Sequence, residues 1–181
     1  YCGYAAIMMA ATLEEPNDGP AYKIFSVEAV EQHARVARSM IELAGLQDKI
    51  QVLLLDLAVG SMTVSQLLRG AMEDDGKDCK DGSASRADFV FIDHDKSLYL
   101  PDLRELEANR LIGKATHVAA DNVIFAGIDD YRDYVKTLAN DGVVETTLET
   151  SYVEYSQAER QSNSVQTDVL RDGIELTVYL K

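Results

Sequence analysis

The chain has 181 residues, an apolar share of 46%, a charged share of 27% and a formal net charge of −14. That length suits one domain with its own hydrophobic core, and the acidity argues against a nucleic-acid binder, whose phosphate contacts need a basic face. No apolar run approaches the roughly 20 residues that span a bilayer, and two cysteines, Cys2 and Cys79, are too few for a disulfide framework, which points to a reduced, cytoplasmic setting.

The chain opens at Tyr1 in "YCGYAAIMMAATL", with no strand before the glycine. "AYKIFSV" (21–27) reads as a short buried strand. In residues 28–44, Val30, Ala34, Ala37, Ile41 and Ala44 recur at helical spacing, and Gly45 follows as a stop. "KIQVLLL" (49–55) is a second strand and "TVSQLLRGAM" a second helix. "ADFVFID" (87–93) and "ATHVAAD" (115–121) are further strands, with helical "LPDLRELEANRL" between them and "IDDYRDYVKTLAND" after. The acidic stretches "MEDDGKDCKDG" and "FAGIDDYRD" read as solvated surface. In the last third, "VVETTLETSYVEY" and "GIELTVYLK" read as longer strands joined by polar "SQAERQSNSVQTDVLRD", an antiparallel hairpin with a long loop. Neither a repeat nor a linker divides the chain, so residues 1–181 are expected to form a single domain.

Strands alternating with helices imply an α/β fold with a mostly parallel sheet covered on both faces, and such sheets bind ligands at the carboxyl ends of their strands. Two stretches stand out there. "FVFIDHDKSLYLPD" runs from a buried strand into Asp93, His94, Asp95 and Lys96, and "HVAADNVI" ends in Asp121 and Asn122. If their strands are neighbours, the ends lie roughly 5 Å apart. Three converging oxygen-bearing side chains would suit a hard divalent cation such as magnesium. Each stretch taken alone also fits a turn or a helix cap.

In order along the chain, "YCGY", "VFIDHDKSLYLPD", "ADNVIFAG" and "DGIELTVYL" resemble the cofactor loop, metal-and-base motif, second metal motif and last strand of the catechol O-methyltransferase family. These enzymes use S-adenosylmethionine and magnesium to methylate one hydroxyl of a catechol. The resemblance implies a Rossmann-like, doubly wound fold. It also implies a small phenolic substrate, with Asp93, Asp121 and Asn122 as magnesium ligands and Lys96 as the base. Asn122 and Glu154 would contact the catechol. Gly3 and Tyr4 would approach the methionine part of the cofactor, and Glu28 would hold its ribose. Asp56, Asp93 and His94 would line the rest of the cofactor site. Glu28 has independent support, since an acid at the end of the second strand suits a ribose diol. Asp56 equally fits a turn, and His94 a solvent-facing loop. An ordinary lysine, with a pKa of ~10.4, is neutral in only about one molecule in 2,500 at pH 7, so Lys96 as a base needs its pKa lowered; a surface lysine does not.

The chain departs from the family in two places: Asp95 stands where an aromatic residue commonly stacks on adenine, and "LLLDLAVG" replaces a glycine and small polar residues. These leave two other readings open, a cation-dependent methyltransferase with another acceptor such as a phenylpropanoid ester, and a weakly active binding relative. In a doubly wound sheet the strand leading into the glycine loop is central. The edges of "YKIFSV" and "ADFVFID" are therefore expected to be unpaired in the sequence as it stands, as in a piece of a longer chain.

Overall fold

The computed structural model describes residues 2–14, 21–56, 62–74, 86–125, 127–152 and 171–181, in two units, Tyr1–Lys80 and Asp81–Lys181.

The first unit carries α1 (Tyr4–Glu14), β1 (Ile24–Glu28), α2 (Glu31–Leu43), β2 (Ile50–Leu54) and α3 (Val64–Asp74). Helix α1 is absent from the sequence-based expectation. Its run YAAIMMAATLE is apolar nearly all round, so no amphipathic period marks it. Strands β1 and β2 are parallel, with Ile24 opposite Ile50 and Glu28 opposite Leu54. Ala6, Ala10, Ala34, Ala37, Ile41, Ile50 and Val52 form the core beside them. Gly3 has φ +75°, and a Cβ there would lie 3.3 Å from the Ala37 Cβ. Glycine therefore serves both the left-handed backbone and the close approach to α2. Helix α2 ends as predicted at Gly45: Leu46 N donates to Ile41 O and Gly45 N to Glu42 O, the two bonds of a Schellman cap.

The second unit carries β3 (Phe89–Ile92), a 3₁₀ turn (Lys96–Leu98), α4 (Tyr99–Ala108), β4 (His117–Ala120), α5 (Asp129–Asn140), β5 (Val144–Tyr152) and β6 (Arg171–Tyr179). Its sheet has the order β3-β4-β6-β5. The β3–β4 pair is parallel, β4–β6 is antiparallel, and β5–β6 forms the expected hairpin from Val144↔Tyr179 to Tyr152↔Arg171. Strand β6 starts at Arg171, two residues before "GIELTVYLK" and one before "DGIELTVYL", so Asp172, which closes the polar segment in the pattern and opens the last strand in the resemblance, is a strand residue. The other strands form within the predicted segments or within a residue of them, and β3 and β4 stop at Ile92 and Ala120, just before their acids. Among the described residues β1 pairs only with β2, and β3 only with β4. Asp129 and Asp130 occupy the first turn of α5, where the helix dipole favours negative charge. No helix of the described residues is long and apolar enough to cross a membrane.

The second unit buries a group of tyrosines. Glu107 accepts the hydroxyls of Tyr134 at 2.5 Å and Tyr179 at 2.6 Å, and Tyr131 meets Tyr99 edge-on at 5.8 Å between ring centroids. Burial raises the pKa of all four phenols, with Glu107 adding to the rise for Tyr134 and Tyr179; Tyr134 is pushed up to about 12. An unfolded tyrosine ionises near pH 10. Since the folded pKa values are higher, the stability these groups contribute is complete below about pH 10 and is lost as pH rises towards the folded values. Tyrosinate absorbance and far-ultraviolet circular dichroism, followed together through alkaline pH, are expected to show a second tyrosine class that ionises only with loss of structure. Ionisation of every tyrosine near pH 10 with the helices intact would contradict this burial.

Candidate active site

Neighbouring parallel strands bring the two sequence motifs together. Ile92 pairs with Ala120, and Asp121 N donates to Ile92 O at 3.0 Å, so Asp93 and Asp121 leave the sheet side by side. Asn122 follows with φ 56°, a left-handed conformation that asparagine tolerates better than most residues. Its N–H donates to Asp121 Oδ1 at 2.7 Å.

Lys96 reaches this rim from the 3₁₀ turn. Its Nζ donates to Asp93 Oδ1 at 3.0 Å, to Asp121 O at 3.4 Å and to Asn122 Oδ1 at 3.4 Å. It also donates to the Tyr99 hydroxyl at 2.5 Å, and that hydroxyl donates in turn to Asp121 O at 3.0 Å. Asp95 starts the turn, accepting from Ser97 N at 2.9 Å and Ser97 Oγ at 2.7 Å. Those bonds hold its carboxyl below the usual carboxylate range. Burial raises the Asp121 carboxyl; the Asn122 N–H opposes the rise, and the Asp93 charge adds to it.

Among the described residues, no group of three or more His, Cys, Asp or Glu side chains is arranged to hold a metal ion. The set here has two carboxylates and needs the Asn122 carboxamide as its third donor. The fit to a hard cation therefore rests on oxygen chemistry. Asp93 Oδ1 and Asn122 Oδ1 already face one cation, the Lys96 ammonium, and carboxylate and carboxamide oxygens are the donors such ions take.

The other predicted residues are more dispersed. His94 is exposed, with Nε2 2.8 Å from Asp102 Oδ2 and its ring 5.2 Å from the Tyr99 ring, so the imidazole is tied to α4. In the first unit, Glu28 closes β1, and its Oε1 accepts from Val30 N at 3.0 Å. Gly3 and Tyr4 open α1, and Asp56 is exposed beyond β2. Glu154 lies outside the described residues.

Two residues near the rim escaped the sequence reading. Tyr99 lies three positions beyond Lys96, a helical spacing that becomes visible only once the turn is known to start at Lys96. Asp172 accepts from Asn122 Nδ2 at 3.0 Å, from Ile124 N and Phe125 N at 3.1 Å, and from Gly173 N at 2.8 Å. Burial raises its pKa, but these donors outweigh it and the carboxyl sits below its ordinary value. In sequence it closes the polar segment "SQAERQSNSVQTDVLRD", and nothing there points to Asn122.

A family model described as O-methyltransferase matches residues 1–178. Catechol O-methyltransferase of Bos taurus is 33% identical over 99% of this chain and 53% of its own length. For the Sus scrofa enzyme of the same name the values are 33%, 99% and 78%. The chain spans about half the length (53–55%) of the first curated relatives it matches. Among solved structures, an O-methyltransferase from Bacillus cereus in complex with SAH superposes with a TM-score of 0.65 at 23% identity, covering 98% of this chain and 69% of that one. An O-methyltransferase from Streptomyces achromogenes in complex with SAM gives a TM-score of 0.62 at 20% identity, covering 100% and 70%. These likenesses are of fold.

Tyr99 is fully buried, and its hydroxyl bridges Lys96 to the strand end. Tyr99→Phe is expected to lower stability by about 1–3 kcal/mol, the cost of leaving buried polar partners short of a bond. Urea denaturation measures it; an unchanged midpoint would show that water replaces the phenol at no cost.

Proposed function

The chain belongs to the O-methyltransferase family, and from that premise we propose that it transfers the methyl group of S-adenosylmethionine to one hydroxyl of a catechol or similar vicinal diphenol, with magnesium at the strand ends. The observation that supports it most is the convergence of Lys96 Nζ with the side-chain oxygens of Asp93 and Asn122. In this reading residues 1–181 serve one methyltransferase domain.

Asp93, Asp121 and Asn122 would hold the magnesium ion, which when bound polarises the paired oxygens of the acceptor. Lys96 would take the proton of the reacting hydroxyl at Nζ. The ammonium so formed is met by Asp93 Oδ1, the Tyr99 hydroxyl and the Asp121 carbonyl, all within 3.4 Å. Tyr99, buried and uncharged, fixes the height of Nζ above the strand end. By the family resemblance, Glu28 would hold the cofactor ribose, Gly3 and Tyr4 would approach its methionine end, and Asp56, Asp93 and His94 would contact the remainder. Asn122 and Glu154 orient the acceptor. With both reactants held, positioning supplies much of the rate.

Methyl transfer to a panel of diphenols is expected to need magnesium and to cease in Asp121→Ala, whose fold is retained. Full activity in excess chelator would sink the metal assignment.

Lys96→Met is expected to lower turnover by about 10²–10⁴-fold, the usual effect of removing a general base, with cofactor affinity by calorimetry unchanged. Near-normal turnover at neutral pH would mean that the acceptor ionises without Lys96.

A further inference from the structure

The Asn122 carboxamide is held from both ends. A carboxylate can only accept and an ammonium can only donate. With Nδ2 against Asp172 Oδ2 and Oδ1 facing Lys96 Nζ, the amide has a single satisfied orientation. We propose that Asp172 is a positioning residue for the metal site: it keeps the Asn122 oxygen, rather than the nitrogen, turned towards the ion. That role rests on the magnesium reading above.

Asp172 is itself fixed by backbone. Its Oδ1 gathers the N–H groups of Ile124, Phe125 and Gly173, and Gly173 O accepts from Val123 N at 3.0 Å. Gly173 leaves no slack, since a Cβ there would lie 2.9 Å from Glu149 O and 3.0 Å from Ile124 Cδ1. The start of β6 and the loop after Asn122 are thus joined in both directions, and the carboxylate cannot follow a rotating amide. Hydrogen-bonded partners of metal ligands set ligand orientation in this way.

Asp172→Asn separates this role from a purely structural one. Its carboxamide oxygen can still accept the backbone N–H groups. Its nitrogen, however, opposes Asn122 Nδ2, donor against donor, and the conflict is relieved when the Asn122 amide turns over and presents nitrogen to the ion. Mn²⁺ serves as the probe, read by electron paramagnetic resonance. The dissociation constant is expected to rise about 10–100-fold in D172N, with S-adenosylmethionine affinity and the thermal transition held near wild type. In an N122A background D172N is expected to have no further effect.

Unchanged Mn²⁺ affinity in D172N overturns the proposal, as does an additive loss in the double variant. A parallel fall in metal affinity, cofactor affinity and thermal stability overturns it too, by assigning Asp172 to the fold alone. Wild-type protein that binds no Mn²⁺ removes the metal reading itself, and the role of Asp172 with it. Should D172N fail to fold, the Asn122 side-chain amide of the wild type is read by hydrogen exchange in Mg²⁺. Slow exchange supports a donor locked on Asp172, and exchange at the rate of a free amide overturns it.

Discussion

The candidate site depends on one strand pairing. Strands β3 and β4 run parallel in a register that sets Ile92 against Ala120, and the bond from Asp121 N to Ile92 O is the last rung before both chains leave the sheet. Side chains alternate along a strand, so a slip of one residue would send one acid to the other face of the sheet. Val118, Ala119 and Ala120 are all buried, so β4 is covered on both faces, and its register is held by the ladders on its two edges, to β3 and to β6. The acids therefore meet because β4 is bonded on both sides.

What happens at the rim is set more by geometry than by the strength of any contact. Asp93 is about half exposed, and its ion pair with Lys96 is of a kind worth only about 0–1 kcal/mol. The stiffness comes from Tyr99, which is buried, anchored edge-on against Tyr131, and hydrogen-bonded to both Lys96 and the Asp121 carbonyl. On the opposite side Asp172 ties the loop after Asn122 to β6. Two flexible side chains, Lys96 and Asn122, are each held by a rigid neighbour.

The strands and most helices were legible because each carries a period or a punctuation mark: alternating apolar residues, Gly45 after α2, acids after β3 and β4. Helix α1 was not, because a segment apolar on every side gives no contrast between faces. Asp93, Lys96, Asp121 and Asn122 could be read because each lies within a few residues of a strand end. Tyr99 and Asp172 could not, because their importance comes from distance closed in space: 22 residues separate Tyr99 from Asp121 and 50 separate Asp172 from Asn122. Gly173, the first residue of the expected strand, lies inside the β5–β6 pair, where its lack of a Cβ is needed against Glu149 O.

Asp95 shows how a departure from a family pattern can have a local cause. An aromatic ring at this position could not accept the Ser97 N–H, and the 3₁₀ turn that presents Lys96 begins with that bond. The carboxylate also takes the Ser97 hydroxyl, so one acid accepts from both the N–H and the hydroxyl of the residue after Lys96. His94 cannot simply replace the ring, since its Nε2 is engaged by Asp102 and the imidazole lies against Tyr99. Within the segment from Asp93 to Tyr99, then, Asp93 and Tyr99 hold the lysine, and Asp95 and Ser97 hold the turn beneath it. Fixing the turn beneath the Lys96 amine is thus a direct use of the position where the family commonly carries a stacking ring.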